Sequence, residues 1–183
     1  MLDTACATAK KWQVEDNYYG TVAVNVSAVQ MAEENFVTLV GTCLDKYELA
    51  PKYLELEVTE TMVLNDIDIM LEKLNDLATM GIKISIDDFG TGYSSFSYIK
   101  QLPASTLKLD MEFIKDIPAK KEDMAVVDGM IVLAHNLGMK VVAEGVETKE
   151  QYDFLTERHC DFVQGYFINK PLPEPVFIAE YAP

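Results

Sequence analysis

Six short runs of apolar and β-branched residues recur along the chain, at 21–26, 53–59, 82–87, 107–109, 140–143 and 161–168, with a stretch of helical periodicity between each and the next. Strands that alternate one for one with helices build a parallel sheet. Right-handed crossovers then leave two ways to arrange it, a barrel or an open doubly wound sheet. No Gly-x-Gly-x-x-Gly follows any of the six runs and no Gly-Lys-Ser/Thr loop occurs, so a nucleotide-binding open sheet has little support. A (β/α)₈ barrel takes eight strands and about 250 residues. Six strands in 183 residues, entered through a helix, read as α/β with a TIM-like (β/α) barrel that is incomplete, its first two strands absent. No linker or low-complexity run divides the chain, so it reads as one partial domain over 1–183.

The helices carry their own punctuation. Leu2, Ala5, Cys6, Ala9 and Trp12 or Gln13 set a helix over 2–16. Helices are expected over 30–46, with Phe36, Leu39, Val40, Cys43 and Leu44 inward, and over 66–80, through Ile69, Leu71, Leu74, Leu77 and Met80. Further helices are expected at 95–101, 121–137 and 148–157. Gly81 and Gly138 sit at C-terminal caps, and Thr148 opens the last helix. Pro171, Pro173 and Pro175 lead out of the final strand.

Thirty acids against fifteen bases give a formal charge of −15, which argues against a phosphate-neutralising surface for a nucleic acid polymer. It leaves open an anionic substrate held through metal ions, which reverse the local field. Cys6, Cys43 and Cys160 are odd in number and far apart, the pattern of a reduced cytosolic protein. Two histidines, His135 and His159, do not make a histidine-rich zinc site, so any metal must be held by oxygen. No segment has the length and apolarity of a bilayer span or a signal peptide, and the expected location is cytoplasmic.

In such barrels the chemistry lies at the C-terminal strand ends. Those ends deliver Asn25, Glu57, Asp87 with Asp88, Lys108, Glu144 and Gln164. Singly, each has an ordinary explanation: a helix cap for Asn25, a solvated strand residue for Glu57, a snorkelling side chain for Lys108. Glu144 suits a turn at Gly145, and Gln164 a bond to strand backbone. Arriving together on one rim, they point to one site. Asp87 and Asp88 repel each other unless a cation lies beside them, and hard ions such as Mg²⁺ or Mn²⁺ prefer carboxylate oxygen. Four carboxylates and an amide suit one or two such ions. A lysine beside them orients or deprotonates a water, and two ions clamp both oxygens of a phosphoester displacement. Metal-dependent phosphodiester hydrolysis follows, with the substrate open. Asp88-Phe89-Gly90 copies a kinase triplet but lacks the accompanying His-Arg-Asp and glycine-rich loop. A Mg²⁺-dependent enolising lyase with Lys108 as base is a weaker reading.

The strings NVSA at 25–28, LELEVTET at 54–61, DDFGTGYSS at 87–95, LKLD at 107–110, VVAEGVET at 141–148 and DFVQGYF at 161–167 resemble the EAL-domain cyclic di-GMP phosphodiesterases, in the family's order and over essentially the whole chain. The resemblance implies that Asn25, Glu57 and Asp87 are ligands of one Mg²⁺ or Mn²⁺. Asp87 would bridge to a second ion that Asp88 also binds, and Glu144 would complete that site directly or through water, with Glu147 a nearby acid. Lys108 would position or deprotonate the attacking water, and Gln164 would hydrogen-bond that water or the substrate. Thr91, Gly92, Tyr93, Ser94 and Ser95 resemble the family's loop that couples metal binding to dimerisation, anchored by Glu60. The implied reaction opens cyclic di-GMP to linear pGpG. The implied assembly is a homodimer, with a GGDEF or sensory domain flanking in a longer protein.

One departure stands out. Nothing before Asn25 resembles the Glu-Ala-Leu motif that names the family and supplies a metal ligand. The chain therefore reads as a fragment or a natural truncation. The alternative to a working enzyme is an inactive domain that acts as a cyclic di-GMP receptor or a protein-interaction scaffold.

Overall fold

The computed structural model describes residues 1–64, 67–90 and 96–182. Six strands are present: β1 (Val22–Asn25), β2 (Leu54–Thr59), β3 (Lys83–Phe89), β4 (Thr106–Leu109), β5 (Lys140–Ala143) and β6 (Phe162–Val163). They lie in one sheet in chain order, and β1 with β2, β3 with β4, β4 with β5 and β5 with β6 pair in parallel. The parallel sheet and the intervening helices are those of a TIM-like (β/α) barrel, as the alternation of strands and helices requires. The chain divides into two compact units, Met1–Val58 with Met62–Ile84 and Leu172–Pro183, and Thr59–Thr61 with Ser85–Pro171. Among the described residues no helix is long and apolar enough to cross a membrane.

In the first unit, α1 (Leu2–Glu15) buries Cys6 and Ala9, and β2 buries Leu54, Leu56 and Val58 by strand alternation. The single helix expected over 30–46 is instead two, α2 (Ala28–Ala32) and α3 (Phe36–Lys46). A Ser27–Gln30 capping box starts α2 early, and Glu33 then turns extended at φ −61°, ψ 129°. Lys73 Nζ donates to the Met31 and Glu33 carbonyls at 2.7 and 2.8 Å, satisfying oxygens that a continuous helix would have used. Phe36, Val40, Cys43 and Leu44 face inward as expected, whereas Leu39 is exposed. In α5 (Ile67–Thr79), Leu74 and Leu77 are buried, but Ile69 is exposed, as is Met80 just past the helix. Helix α4 (Glu60–Leu64) and the C-terminal α10 (Glu174–Tyr181) carry no periodicity strong enough to announce them. Pro173 and Pro175 open α10 rather than leading the chain away, because a missing N–H costs nothing in a first turn. Trp12, Tyr18 and Phe177 stack, and Trp12 Nε1 donates to Glu174 at 3.0 Å, which seats α10 on α1.

The second unit is built around Ile86, Phe89, Leu107, Leu109, Val141 and Ala143 of the sheet, with Val127 and Ile131 of α8 (Lys121–Asn136) and Phe154 and Leu155 of α9 (Lys149–Glu157). Helix α6 (Phe96–Ile99) is shorter than expected, and a one-turn α7 (Met111–Ile114) is added after β4. The strand expected over 161–168 ends at Val163. Gly165 lies so close to Val146 that a Cβ there would meet its carbonyl oxygen at 2.1 Å. The amides of Ile168 and Asn169 then return to the Gly165 carbonyl at 3.0 and 3.1 Å, folding the segment into a turn.

Candidate active site

The acids at the end of β3 are placed by a bulge. β3 and β4 pair Ile86 with Leu107 and Phe89 with Leu109, so Asp87 and Asp88 together face Lys108. Neighbours in a regular strand point to opposite faces, and an extra residue re-aims them. Asp88 takes up the turn at φ 53°, a left-handed conformation that aspartate tolerates. Lys108 is 7% exposed, and its Nζ lies 3.0 Å from Asp87 Oδ1 and 2.8 Å from Glu144 Oε1. β5 brings Glu144 there: Leu109 is in register with Ala143, and the Glu144 amide donates to the Leu109 carbonyl at 3.1 Å.

Asp87 Oδ1 is buried and accepts no hydrogen bond, its contact with Lys108 being an ion pair out of hydrogen-bond alignment. A buried carboxylate oxygen in that condition, next to a second acid, suits a hard divalent cation. Among the described residues no three acids, histidines or cysteines are grouped closely enough to hold an ion; the Lys108 ammonium is the positive charge that Asp87 and Glu144 meet. Burial, then the charges of Asp87 and Asp110, pushes the Asp88 carboxyl above its ordinary value, and a hydrogen bond with Asp110 adds to this.

Glu60 opens α4 and is 4% exposed, and its Oε2 accepts from the Gly90 amide at 2.7 Å. Thr91, Gly92, Tyr93, Ser94 and Ser95, the expected coupling loop, lie outside the described residues. In the first unit Asn25, the last residue of β1, is in register with Glu57, two residues before the end of β2, and the Val26 amide donates to the Glu57 carbonyl at 2.9 Å. Gln164 continues the β5–β6 ladder with its backbone, donating to Ala143 at 2.8 Å and accepting from Val146 at 3.0 Å, while the residue itself is exposed. Glu147 is exposed, and its amide donates to Gln151 Oε1 at 2.8 Å.

Two residues join this site without having been singled out from sequence. Asp110 caps α7, accepting from the Glu112 amide at 2.6 Å, and reaches Asp88. Gln151 is 5% exposed and is the third residue after the Thr148 cap. A Thr-x-x-Gln capping signal is legible there, but not the partners beyond it.

A parallel α/β chain of TIM-like type, with carboxylates and a buried lysine at its C-terminal strand ends, belongs to the class of barrel-type domains whose chemistry sits at that end of the sheet. The particular family is the EAL domain, whose sequence model matches residues 1–171, and the chain belongs to it. It is 42% identical over 182 residues to the bifunctional diguanylate cyclase/cyclic di-GMP phosphodiesterase MucR of Pseudomonas aeruginosa, covering 100% of this chain and 27% of MucR. It is 43% identical to the cyclic di-GMP phosphodiesterase NbdA of the same organism, covering 94% of this chain and 22% of NbdA. The chain thus spans about a quarter of the length of these curated relatives. Among solved structures, the PaMucR phosphodiesterase in complex with c-di-GMP superposes with a TM-score of 0.91 at 43% identity, over 96% of this chain and 71% of that one. The EAL domain of Mycobacterium smegmatis DcpA superposes with a TM-score of 0.93 at 35% identity, over 99% and 82%.

Proposed function

We propose that this chain is the hydrolytic domain of a phosphodiesterase that uses divalent cations to open cyclic di-GMP to linear pGpG in bacterial second-messenger signalling. The observation that carries the reading is Lys108, buried at the rim and ion-paired with both Asp87 and Glu144. The identity to two cyclic di-GMP phosphodiesterases supports it. Phosphodiesterases of this family generally depend on divalent metal. The family resemblance assigns Asp87, Asp88 and Glu144 of the second unit to Mg²⁺ or Mn²⁺, a grouping they do not form in the described arrangement, where Lys108 pairs with both Asp87 and Glu144, and it assigns Asn25 and Glu57 of the first unit to the same task. The cation supplies charge neutralisation at the phosphate and a more acidic water. The chain's own contribution is a fixed ammonium: Lys108 hydrogen-bonds and orients the attacking water, and the Gln164 amide holds that water or the substrate.

The test is hydrolysis of cyclic di-GMP with Mg²⁺ or Mn²⁺, beside Asp87→Asn. The expected result is cation-dependent pGpG, reduced at least about a hundredfold in the variant, the scale on which removal of a charge-stabilising group acts. Equal turnover by the variant, or no turnover with either ion, overturns the reading. One second reading is a cyclic di-GMP receptor, which the similarity to the PaMucR structure in complex with c-di-GMP motivates. Binding of the dinucleotide without hydrolysis would establish it. A homodimer is part of the proposal, as is a flanking GGDEF or sensory domain wherever this domain stands in a longer polypeptide, as the bifunctional cyclase and phosphodiesterase MucR motivates.

A further inference from the structure

Gln151 uses both ends of its buried amide. Oε1 accepts from the Glu147 and Thr148 amides at 2.8 and 3.0 Å. Nε2 donates to the carbonyl of Ile114 at 3.0 Å and to that of Lys115 at 3.4 Å, where α7 ends. The bond from the Thr148 amide completes an ordinary capping box with the Gln151 amide's bond to Thr148 Oγ1, and glutamate serves as acceptor there as well as glutamine. The second pair is something only a donor supplies, and it ties the segment carrying Glu144 to α7.

That tie closes a circuit. α7 begins at Asp110, whose side chain reaches Asp88. It ends at Ile114, held by Gln151, which in turn holds residues 147 and 148. Glu144 lies three residues earlier and pairs with Lys108, which pairs with Asp87. The intervening Gly145, at φ +70°, leaves no space against Met111, where a Cβ would stand 2.5 Å from the Met111 Cβ. Val146 is fully buried, donating to Gln164 and accepting from Phe167, both at 3.0 Å. A segment held on this many sides has one position, and besides the Gly145–Met111 packing the Nε2 bonds are its hydrogen-bonded link to the helix that Asp110, the Asp88 partner, caps. We propose that Gln151 is a positioning residue, whose Nε2 bonds to the end of α7 fix Glu144 against Lys108. Its consequence for turnover rests on the phosphodiesterase reading; the placement itself does not.

The test compares Gln151→Glu, which keeps the cap and loses the donor, with Gln151→Met, which has similar bulk and neither. Amide hydrogen exchange is read at Glu144 and Val146, whose bonds go to Leu109 and Gln164 and not to Gln151. Val127 and Ile131 of α8 serve as the reference for global opening. Exchange at Glu144 and Val146 is expected to rise about tenfold in both variants, the worth of roughly one hydrogen bond, with α8 unchanged. No rise in Gln151→Glu means that Gln151 is a helix cap only, and a rise shared equally by α8 means general destabilisation; either overturns the proposal. In the hydrolysis assay both variants are expected to lower kcat with KM within about twofold, because a misplaced carboxylate is felt most in the transition state. A raised KM at constant kcat refutes the role in turnover. If the unaltered chain hydrolyses nothing, the phosphodiesterase reading fails, and the exchange measurement still decides Gln151.

Discussion

Replacing Lys108 by methionine keeps an unbranched side chain, one atom shorter, and removes one charge from between two acids. The magnitude follows from the geometry. At 3.0 and 2.8 Å, each attraction is gross about 5–6 kcal/mol in an effective dielectric of 20. Desolvation of the three groups cancels most of it, and the measured cost of removing one partner from a buried pair is about 3–5 kcal/mol, mainly from the charge left behind. The side chains of Asp87 and Glu144 retain 13% and 21% exposure, so water recovers part of that cost and the lower end, about 3 kcal/mol, is expected. In a chain of this size that is a fall in Tm of about 6–12 °C. Urea denaturation without divalent cations reads it directly, urea being uncharged. Adding Mn²⁺ should then stabilise Lys108→Met more than the unaltered chain, since a cation replaces the lost ammonium. A loss below about 1 kcal/mol would place the pair in the weak class of exposed ion pairs and refute the view that Lys108 neutralises a buried acidic rim.

Three further outcomes are expected. Gly165→Ala should cost at least about 2 kcal/mol in urea, because its Cβ would meet backbone atoms of Val146 at 2.1 and 2.4 Å; a neutral substitution would refute the close approach. Burial raises the Asp161 carboxyl, but hydrogen bonds from His135 and the Val141 amide together outweigh it and hold that carboxyl below its ordinary value. A depressed carboxyl contributes stability above its unfolded pKa and loses it as pH falls through the folded one. Asp161→Asn should therefore cost about 1 kcal/mol at neutral pH and progressively less below about pH 4, and a pH-independent difference would count against the assignment. Burial pushes the Cys6 and Cys160 thiols up to about 11, so alkylation near neutral pH should be slow in the folded chain and fast in urea. Reaction of either at its denatured rate would contradict this.

The order of the elements, the parallel sheet and the acids at the strand ends were legible in the sequence alone. They rest on local rules: strand alternation buries Leu54, Leu56 and Val58, glycine ends a helix at 81 and 138, and threonine starts one at 148. What could not be read locally depends on contacts distant in the chain. Helix 30–46 breaks because Lys73, some forty residues away, takes the Met31 and Glu33 carbonyls. The last strand stops short because Gly165 meets the backbone of Val146. Strict alternation would send Asp87 and Asp88 to opposite faces, and only pairing of β3 with β4 out of register sets both against Lys108. Residue type and spacing determined which groups stand towards the ends of β3, β4 and β5 in this EAL domain. Tertiary pairing decided how they face one another, because a bulge is a property of two strands and not of one.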